Sequence, residues 1–253
     1  MKIFLMSDIH SNLEALEEVL KQQEQENSDL HVVLGDITGY GPDPTLCIQK
    51  VVSLPNLRAV MGNHDKVVAG LVAPLHFNKH AIVSSFLNRK RLGKVEEEWL
   101  AALPESLNIS NEIAIFHGSP LSHDEYLLTP SNALASFQHL TKVGIKLGFF
   151  GHTHLPTLFE YDENTDDVKD FPLKTVRNFS LALDAGKRYL FNPGSVGQPR
   201  DGNPHASFAV VEIVGNDAHF KLSRVKYPVE ECQRKMTEGS FPEPLINRLE
   251  FGF

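Results

Sequence analysis

Eight side chains that can bind metal or move protons stand at the ends of apolar runs: Asp8, His10, Asp36, Asn63, His64, His117, His152 and His154. Oxygen ligands alone would suit magnesium. The imidazoles point instead to manganese, iron, zinc, cobalt or nickel, with manganese the first choice. One four-coordinate zinc needs fewer donors than this, and two ions sharing a carboxylate would use them all. Asp36 is the expected bridge, because a carboxylate at the tip of a buried strand is costly unless a cation meets it. On extended chain, Asp8-x-His10 and His152-x-His154 can each send two side chains to neighbouring ions. Two ions about 3.5–4 Å apart suit phosphoryl chemistry: they bind phosphate oxygens, lower the pKa of a bridging water and hold the resulting hydroxide for in-line attack. The leaving oxygen then needs a proton. If Asn63 faces a metal, His64 can face the leaving group as general acid, with Asp65 orienting its ring.

The elements that must position these residues alternate. Lys2 to Ser7 reads as a strand ending at Asp8. A helix then begins at Ser11, with Ser11 and Glu14 as a capping box and Leu13, Leu16, Val19 and Leu20 as its apolar stripe. Leu30 to Leu34 is a second strand, leading to Gly35-Asp36 and a glycine-rich loop. Asp43 and Pro44 open a helix that runs to about Ser53. Leu57 to Met61 is a third strand, ending in Gly62-Asn63-His64-Asp65. Strand–helix–strand alternation implies a largely parallel sheet, whose ligand site gathers at the carboxyl ends of the strands.

The middle reads as helical, with segments starting near Phe77 and running from Val95 to Ala102, and with Arg89-Lys90-Arg91 as a solvated face. Leu107 to Ser110 and Ile113 to Phe116 form a hairpin that ends at His117. A helix from Ser131 to Thr141 and a strand from Lys146 to Phe150 lead to Gly151-His152-Thr153-His154. The remainder reads as hairpins: Leu158 to Tyr161, Leu181 to Leu183, Arg188 to Phe191, Ser207 to Val214 and His219 to Val225. The acidic run Asp162 to Asp170 reads as a solvated turn. With no linker or repeat, residues 1–253 are expected to form one domain of two packed sheets with helices outside.

Composition narrows the function. At 253 residues a folded chain buries roughly 70–75% of its unfolded surface, so the core needs no disulfide. Cys47 and Cys232 are isolated, which fits a reducing, cytoplasmic setting. No run reaches the ~20 apolar residues of a membrane helix. The formal charge of −8 argues against a surface that coats nucleic acid, while leaving room for a small phosphorylated substrate. His31, His76, His80, His123, His139, His205 and His219 lack the strand-end context and read as surface or satisfied core residues.

Taken together, Asp8-x-His10, Gly35-Asp36, Gly62-Asn63-His64-Asp65, His117-Gly118 and Gly151-His152-x-His154 resemble the signature of the calcineurin-like metallophosphoesterases over roughly residues 3 to 200. Gly39-Tyr40-Gly41-Pro42, Trp99-Leu100 before Leu103-Pro104, and Asn192 to Arg200 resemble the small bacterial and archaeal, phosphodiesterase-like branch. The resemblance implies a four-layer α/β/β/α sandwich of two mixed β-sheets flanked by helices. It implies one metal on Asp8, His10, Asp36 and His154, a second on Asp36, Asn63, His117 and His152, and His64 as proton donor. The expected activity is hydrolysis of phosphodiesters, nucleotides or dinucleoside polyphosphates. The alternatives are a phosphomonoesterase, including a protein phosphatase, and a non-catalytic metal-binding scaffold. The segment Leu121-Ser122-His123-Asp124 departs from the more basic or proline-bearing stretch expected there. Tyr40, on the loop that starts at Asp36, is a candidate to stack on a base or hydrogen-bond the substrate, or else to shape the loop. Arg200 is a candidate for a second phosphate, and Asn12 for phosphate contact or helix capping. The tail Phe251-Gly252-Phe253 would pack internally or against a second copy in a homo-oligomer.

Overall fold

The computed structural model describes residues 1–173, 178–184 and 186–253. Its first sheet is built on β1 (Lys2–Met6), β2 (Leu30–Val33) and β3 (Leu57–Ala59), which run parallel. It continues through antiparallel β11 (Ala206–Val214), β12 (Asp217–Val225) and β9 (Asn178–Ala182), in the order β3-β2-β1-β11-β12-β9. The second sheet has β5 (Ile113–Phe116), β6 (Leu147–Phe149) and β10 (Lys187–Asn192) parallel at its centre. Antiparallel β4 (Ser106–Asn108), β7 (Thr157–Asp162) and β8 (Asp167–Pro172) complete the order β4-β5-β6-β10-β7-β8.

Alternation along each strand decides the layers. On β1, Ile3 and Leu5 face the second sheet and join Ile115, Phe149, Phe191 and Val211 in the central core. Phe4 and Met6 point the other way, against α1 (Leu13–Gln23), α2 (Pro44–Val52) and α5 (Lys94–Ala101). On the far side α6 (Pro130–Lys142) lays Ala133, Phe137 and Leu140 over Phe116, Phe159 and Leu190. The result is the expected helix–sheet–sheet–helix stack. Each fully buried Leu or Phe in these layers contributes about 1.5–3 kcal/mol.

Three sequence expectations are corrected. The cap of α1 is Asn12, whose Oδ1 accepts from the Ala15 amide at 3.1 Å, and Ser11 instead donates its hydroxyl to Asn88 Oδ1. The acidic run is a turn only over its middle: β7 ends at Asp162 and β8 starts at Asp167. β8 is an edge strand with a mostly exposed burial pattern, so its charges face water and its apolar alternation is weak. The chain also does not finish as hairpins. After β12 come α7 (Val229–Glu238) and α8 (Glu243–Phe251), which pack Cys232, Met236, Leu245 and Leu249 against Tyr40. Pro228 and Pro242 cap their starts and Gly252, at φ 72°, ends α8. The middle helices are α3 (Asn63–Val68) and α4 (Lys79–Arg91), with Arg89, Lys90 and Arg91 exposed as expected.

Candidate metal centre

The carboxyl ends of the central parallel strands meet along one edge. The chain leaves β1 through Asp8 and His10, β2 through Asp36, β3 through Asn63 and His64, β5 through His117, and β6 through His152 and His154. Donor atoms of Asp8, His10 and His154 lie within 4.8 Å of one another, and so do those of Asp36, His117 and His152. Asp36 Oδ2 reaches towards both groups, at 3.6 Å from His10 Nε2 and 3.4 Å from His117 Nε2. Asn63 Oδ1 lies 3.2 Å from His117 Nε2 and so joins the second group. All eight sequence candidates are therefore brought to one place.

Local structure fixes which atoms face inward. The Nδ1–H groups of His10, His117 and His154 donate to the carbonyls of Thr38, Leu34 and Gln198. A carbonyl can only accept, so each ring turns its Nε2 to the centre, bare whenever the ring is neutral. The Asp36 carboxylate divides its work: Oδ1 accepts from the His64 amide at 2.9 Å, satisfying an orphan donor of α3, while Oδ2 faces the rings of His10 and His117. Asp8 Oδ2 is held by the Ser7 hydroxyl at 2.6 Å and the His152 amide at 3.1 Å. The backbone turns sharply at these points. Asp8, His10, Ser11, Asp36, Tyr40, His152 and His154 all have φ between 38° and 65°, a conformation that costs a non-glycine residue on the order of 1 kcal/mol or more.

The donor set fits metal on its own chemistry. Asp8 Oδ1 and His152 Nε2 are buried without a hydrogen-bond partner. His10 Nε2 and His154 Nε2 face each other at 3.1 Å, lone pair to lone pair unless a cation or proton intervenes. Burial holds His10 and His154 well below the usual imidazole range and lowers His152 to about 3. Burial also raises Asp8 to about 7. His117 is the exception. Burial lowers it, but Asp36, Asp8 and the Leu34 carbonyl outweigh that and lift it to about 9. A proton on His117 thus sits where a second cation would.

A sequence model of the calcineurin-like phosphoesterase superfamily domain matches residues 1–216. The chain belongs to that superfamily. As a calcineurin-like phosphoesterase it is a metal-dependent enzyme acting on phosphate esters. It is 33% identical over 255 residues to an uncharacterised protein of Methanocaldococcus jannaschii, spanning 99% of this chain and 98% of the relative. It is 28% identical over 221 residues to the phosphodiesterase YfcE of Escherichia coli, spanning 84% and 88%. Its fold is similar to that of a Sphaerobacter thermophilus metallophosphoesterase at TM-score 0.82 and 35% identity, spanning 100% and 99%.

The other candidates in this phosphoesterase divide. Tyr40 is 7% exposed, with its ring 4.5 Å from the rings of both His10 and His64. Its hydroxyl lies 3.4 Å from Arg200 Nη2. Asn12 is turned inward: beyond its capping bond, Nδ2 donates to the Gly197 carbonyl at 2.8 Å and to the Tyr227 hydroxyl at 3.2 Å. Both of its side-chain polar atoms are thus engaged within the protein, and the structure shows it as a cap. Asp65 does not orient the His64 ring. Its oxygens accept from the amides of Ile37, Thr38 and Gly62 and from the Thr38 hydroxyl. His64 Nδ1 has no hydrogen-bond partner among the described residues. Asp65 therefore ties the Asp36 loop to the start of α3.

Three contributors escaped the sequence reading. Tyr126 stacks on His152 with ring centroids 3.8 Å apart. Asn88, buried on α4, clamps the Tyr40 loop by accepting from the Gly39 amide and donating to the Gly41 carbonyl. Gln198 fixes the His154 tautomer through its carbonyl. No motif marks Tyr126 or Asn88; the Asn192–Arg200 stretch did point to the region of Gln198. Tyr40, Asn63, His64, Phe77, Tyr126 and His152 line a cleft of about 250 Å³ over the centre. Larger hollows of about 400 and 370 Å³ lie elsewhere and touch none of these residues.

Proposed function

We propose that the chain hydrolyses phosphodiesters or nucleotide anhydrides at a dinuclear metal centre, with residues 1–253 acting as one unit. The observation that carries this reading is Asp36 Oδ2 reaching towards two separate donor groups. Asp8, His10, Asp36 and His154 would hold one ion, and Asp36, Asn63, His117 and His152 the other. The imidazole-rich set favours manganese or iron over magnesium. When bound, such a pair supplies Lewis-acid pull on phosphate oxygens and an activated water.

The protein's own residues do the rest. His64 borders the cleft, and we assign it the proton that the leaving oxygen takes up. Burial lowers its free-protein pKa to about 4, so a charged imidazolium is not the resting form. A substrate phosphate beside the ring adds negative charge, which favours protonation. Tyr40 and Phe77 flank the His64 ring at 4.5 and 4.4 Å between centroids and exclude water from it. Asp65 acts one step back, by holding the loop that carries Asp36. Tyr40 itself offers its edge and hydroxyl to a substrate. Two buried free cysteines fit work in a reducing, cytoplasmic setting.

The test is manganese-reconstituted protein assayed against an aryl monoester, an aryl diester, cyclic nucleotides and dinucleoside polyphosphates. Diester or anhydride turnover above monoester turnover is expected. Preference for the monoester would replace this reading with a phosphatase, and failure on every ester would leave a metal-binding scaffold.

A further inference from the structure

Two guanidinium groups converge beside the metal centre with no carboxylate to meet them. Arg200, at the end of the loop that follows β10, directs Nη2 to the Tyr40 hydroxyl and to Gln198 Oε1, each at 3.4 Å. Arg248, in the last turn of α8, directs Nη1 to the same Gln198 oxygen at 3.3 Å. One amide oxygen thus holds two cations. Arg89, Arg188, Arg224 and Arg234 each have a carboxylate partner. Arg58 and Arg91 lean on backbone carbonyls instead, and Arg200 and Arg248, which face each other, have no carboxylate partner among the described residues. Arg200 Nε is buried without a hydrogen-bond partner.

Such a pair repels itself. Like charges repel more strongly under partial burial than in water. Burial, and then the charge on Arg200, both hold the Arg248 guanidinium below its ordinary value. A place in the last turn of α8 suits a cation, because the helix carbonyls point there. That accounts for a charge on this turn but not for its facing Arg200. An anion between the two groups accounts for both.

The position says which anion. Tyr40 touches His64 with its ring and Arg200 with its hydroxyl. The Arg200 charge also bears on Tyr126 across the cleft and on the buried Asp8. Arg200 therefore stands one aromatic ring away from the proposed proton donor, and Arg248 meets it at Gln198. A phosphate offers several oxygens to two planar forks, which a single fork would not fully engage. Arg248 also lies beyond residues 1–216, the part matched by the superfamily domain. The superfamily portion supplies the metal ligands, and the C-terminal helices add this charge.

We propose that Arg200 and Arg248 form a subsite for a second phosphate, so that the enzyme selects substrates whose reacting phosphorus is joined to another phosphate. The substrate class is nucleoside polyphosphates and diphosphate esters. This rests on the hydrolase reading above. In the reaction, water adds its oxygen to one phosphorus and releases a proton to solvent, and the bond from that phosphorus to the bridging oxygen breaks. The departing phosphate keeps the electron pair and receives a proton from His64. Arg248 takes no part in bond making; it holds the departing phosphate.

The experiment is calorimetric binding of imidodiphosphate, which resists hydrolysis, and of inorganic phosphate to the manganese-loaded full chain. Arg248→Gln should lower the ratio of the two affinities about tenfold or more, the range of a charge-assisted hydrogen bond. Arg248→Lys keeps the charge and the helix, and should recover part of that ratio. Equal losses for both ligands, or an unchanged ratio in Arg248→Gln, would overturn the subsite. Aryl diester hydrolysis by the unaltered protein, run in parallel, reads the hydrolase assignment separately. Its absence would refute that assignment, while the affinity ratio still decides the subsite.

Discussion

Gly62→Ala is the most demanding test of how the centre is assembled. Gly62 has φ −90° and ψ 172°, ordinary extended backbone that alanine adopts freely. On backbone entropy alone the substitution should therefore be neutral or stabilise by about 0.4–1 kcal/mol. The added methyl, however, would sit 2.0 Å from Asp36 Oδ1 and 2.3 Å from the Asp36 amide nitrogen. That is about 1.4 Å inside ordinary contact. One clashing atom belongs to the backbone, so rotating the side chain cannot relieve it. Either β2's end or the start of α3 must shift by about 1 Å. Asp36 Oδ2 lies 3.6 Å from His10 Nε2 and 3.4 Å from His117 Nε2, and a shift of that size removes it from one group or the other. A 1 Å misplacement costs about a hundredfold in rate. The assay is metal content per chain by elemental analysis, with aryl diester turnover on the same sample. The expected result is loss of at least one ion and a fall in kcat of about a hundredfold. Gly144→Ala is the control: its φ is 79° but nothing lies within 4 Å, so it should lose about 1 kcal/mol of stability and keep its metal. Full metal content in Gly62→Ala would refute the claim that Gly62 makes room for a shared Asp36.

The remaining expectations concern neighbouring groups. His64→Ala should retain both ions yet slow turnover by about 10²–10⁴-fold on esters with poor leaving groups; equal slowing on an activated aryl ester would remove His64 as the acid. Asp65→Asn replaces one acceptor oxygen with a donor facing the amides of Ile37 and Gly62, and two lost charge-assisted bonds cost about 3 kcal/mol or more. Burial has raised Asp65 to about 6, so relief of a buried charge offsets part of that, and a net loss of about 2 kcal/mol should appear as a lowered Tm; an unchanged Tm would place Asp65 elsewhere in the scheme. Metal uptake should release a proton, because His117 is raised to about 9 in the free protein and must lose its proton to ligate. Affinity for the ion it holds should therefore fall about tenfold per unit as pH drops below 9. Calorimetry in buffers of different ionisation enthalpy measures this, and a pH-independent affinity would contradict it.

The strands that carry ligands were legible because each is a short apolar run closed by glycine or a polar residue, and strand–helix alternation forces parallel pairing. The central core followed from period-two alternation, as with Ile3 and Leu5 against Phe4 and Met6. The C-terminal helices were missed because α7 carries few apolar residues in a charged segment. Only Cys232 and Met236 are buried along it. The signals that do mark these helices are Pro228, Pro242 and Gly252, which also suit hairpin turns. Asp65 was misassigned for a different reason. Adjacency in Asn63-His64-Asp65 suggests a carboxylate behind the imidazole, but all three residues lie in the first turn of α3, where consecutive side chains diverge. Arg248 stands about fifty residues from Arg200, and no sequence spacing relates a loop to a helix folded back over it.

The strained residues explain why the centre is built at strand ends. A strand that continued past Asp8 would alternate its side chains between the two cores, and a carboxylate would enter one of them. Turning the chain into a left-handed conformation at Asp8, His10, Asp36, His152 and His154 points consecutive ligands along the edge instead. The neighbouring backbone holds each turn in place. The Asp8 amide donates to the Gly35 carbonyl, the His10 amide to the Asp36 carbonyl, and the Gly197 amide to the Asp8 carbonyl. The loops that follow β1, β2 and β10 thus brace one another, and none is a free connection. Two costs meet at the same residues, unfavourable φ angles and buried polar atoms without hydrogen-bond partners among the described residues, such as Asp8 Oδ1 and His152 Nε2. Cations held there would remove the second cost and leave the first, so the fold holds these turns because the two sheets on either side fix the ends of the loops. The same logic separates Tyr40 from the ligands. At φ 38° it shares their strain, but its ring is packed by α7 and α8, which ties the shape of the cleft to the C-terminal helices that also deliver Arg248.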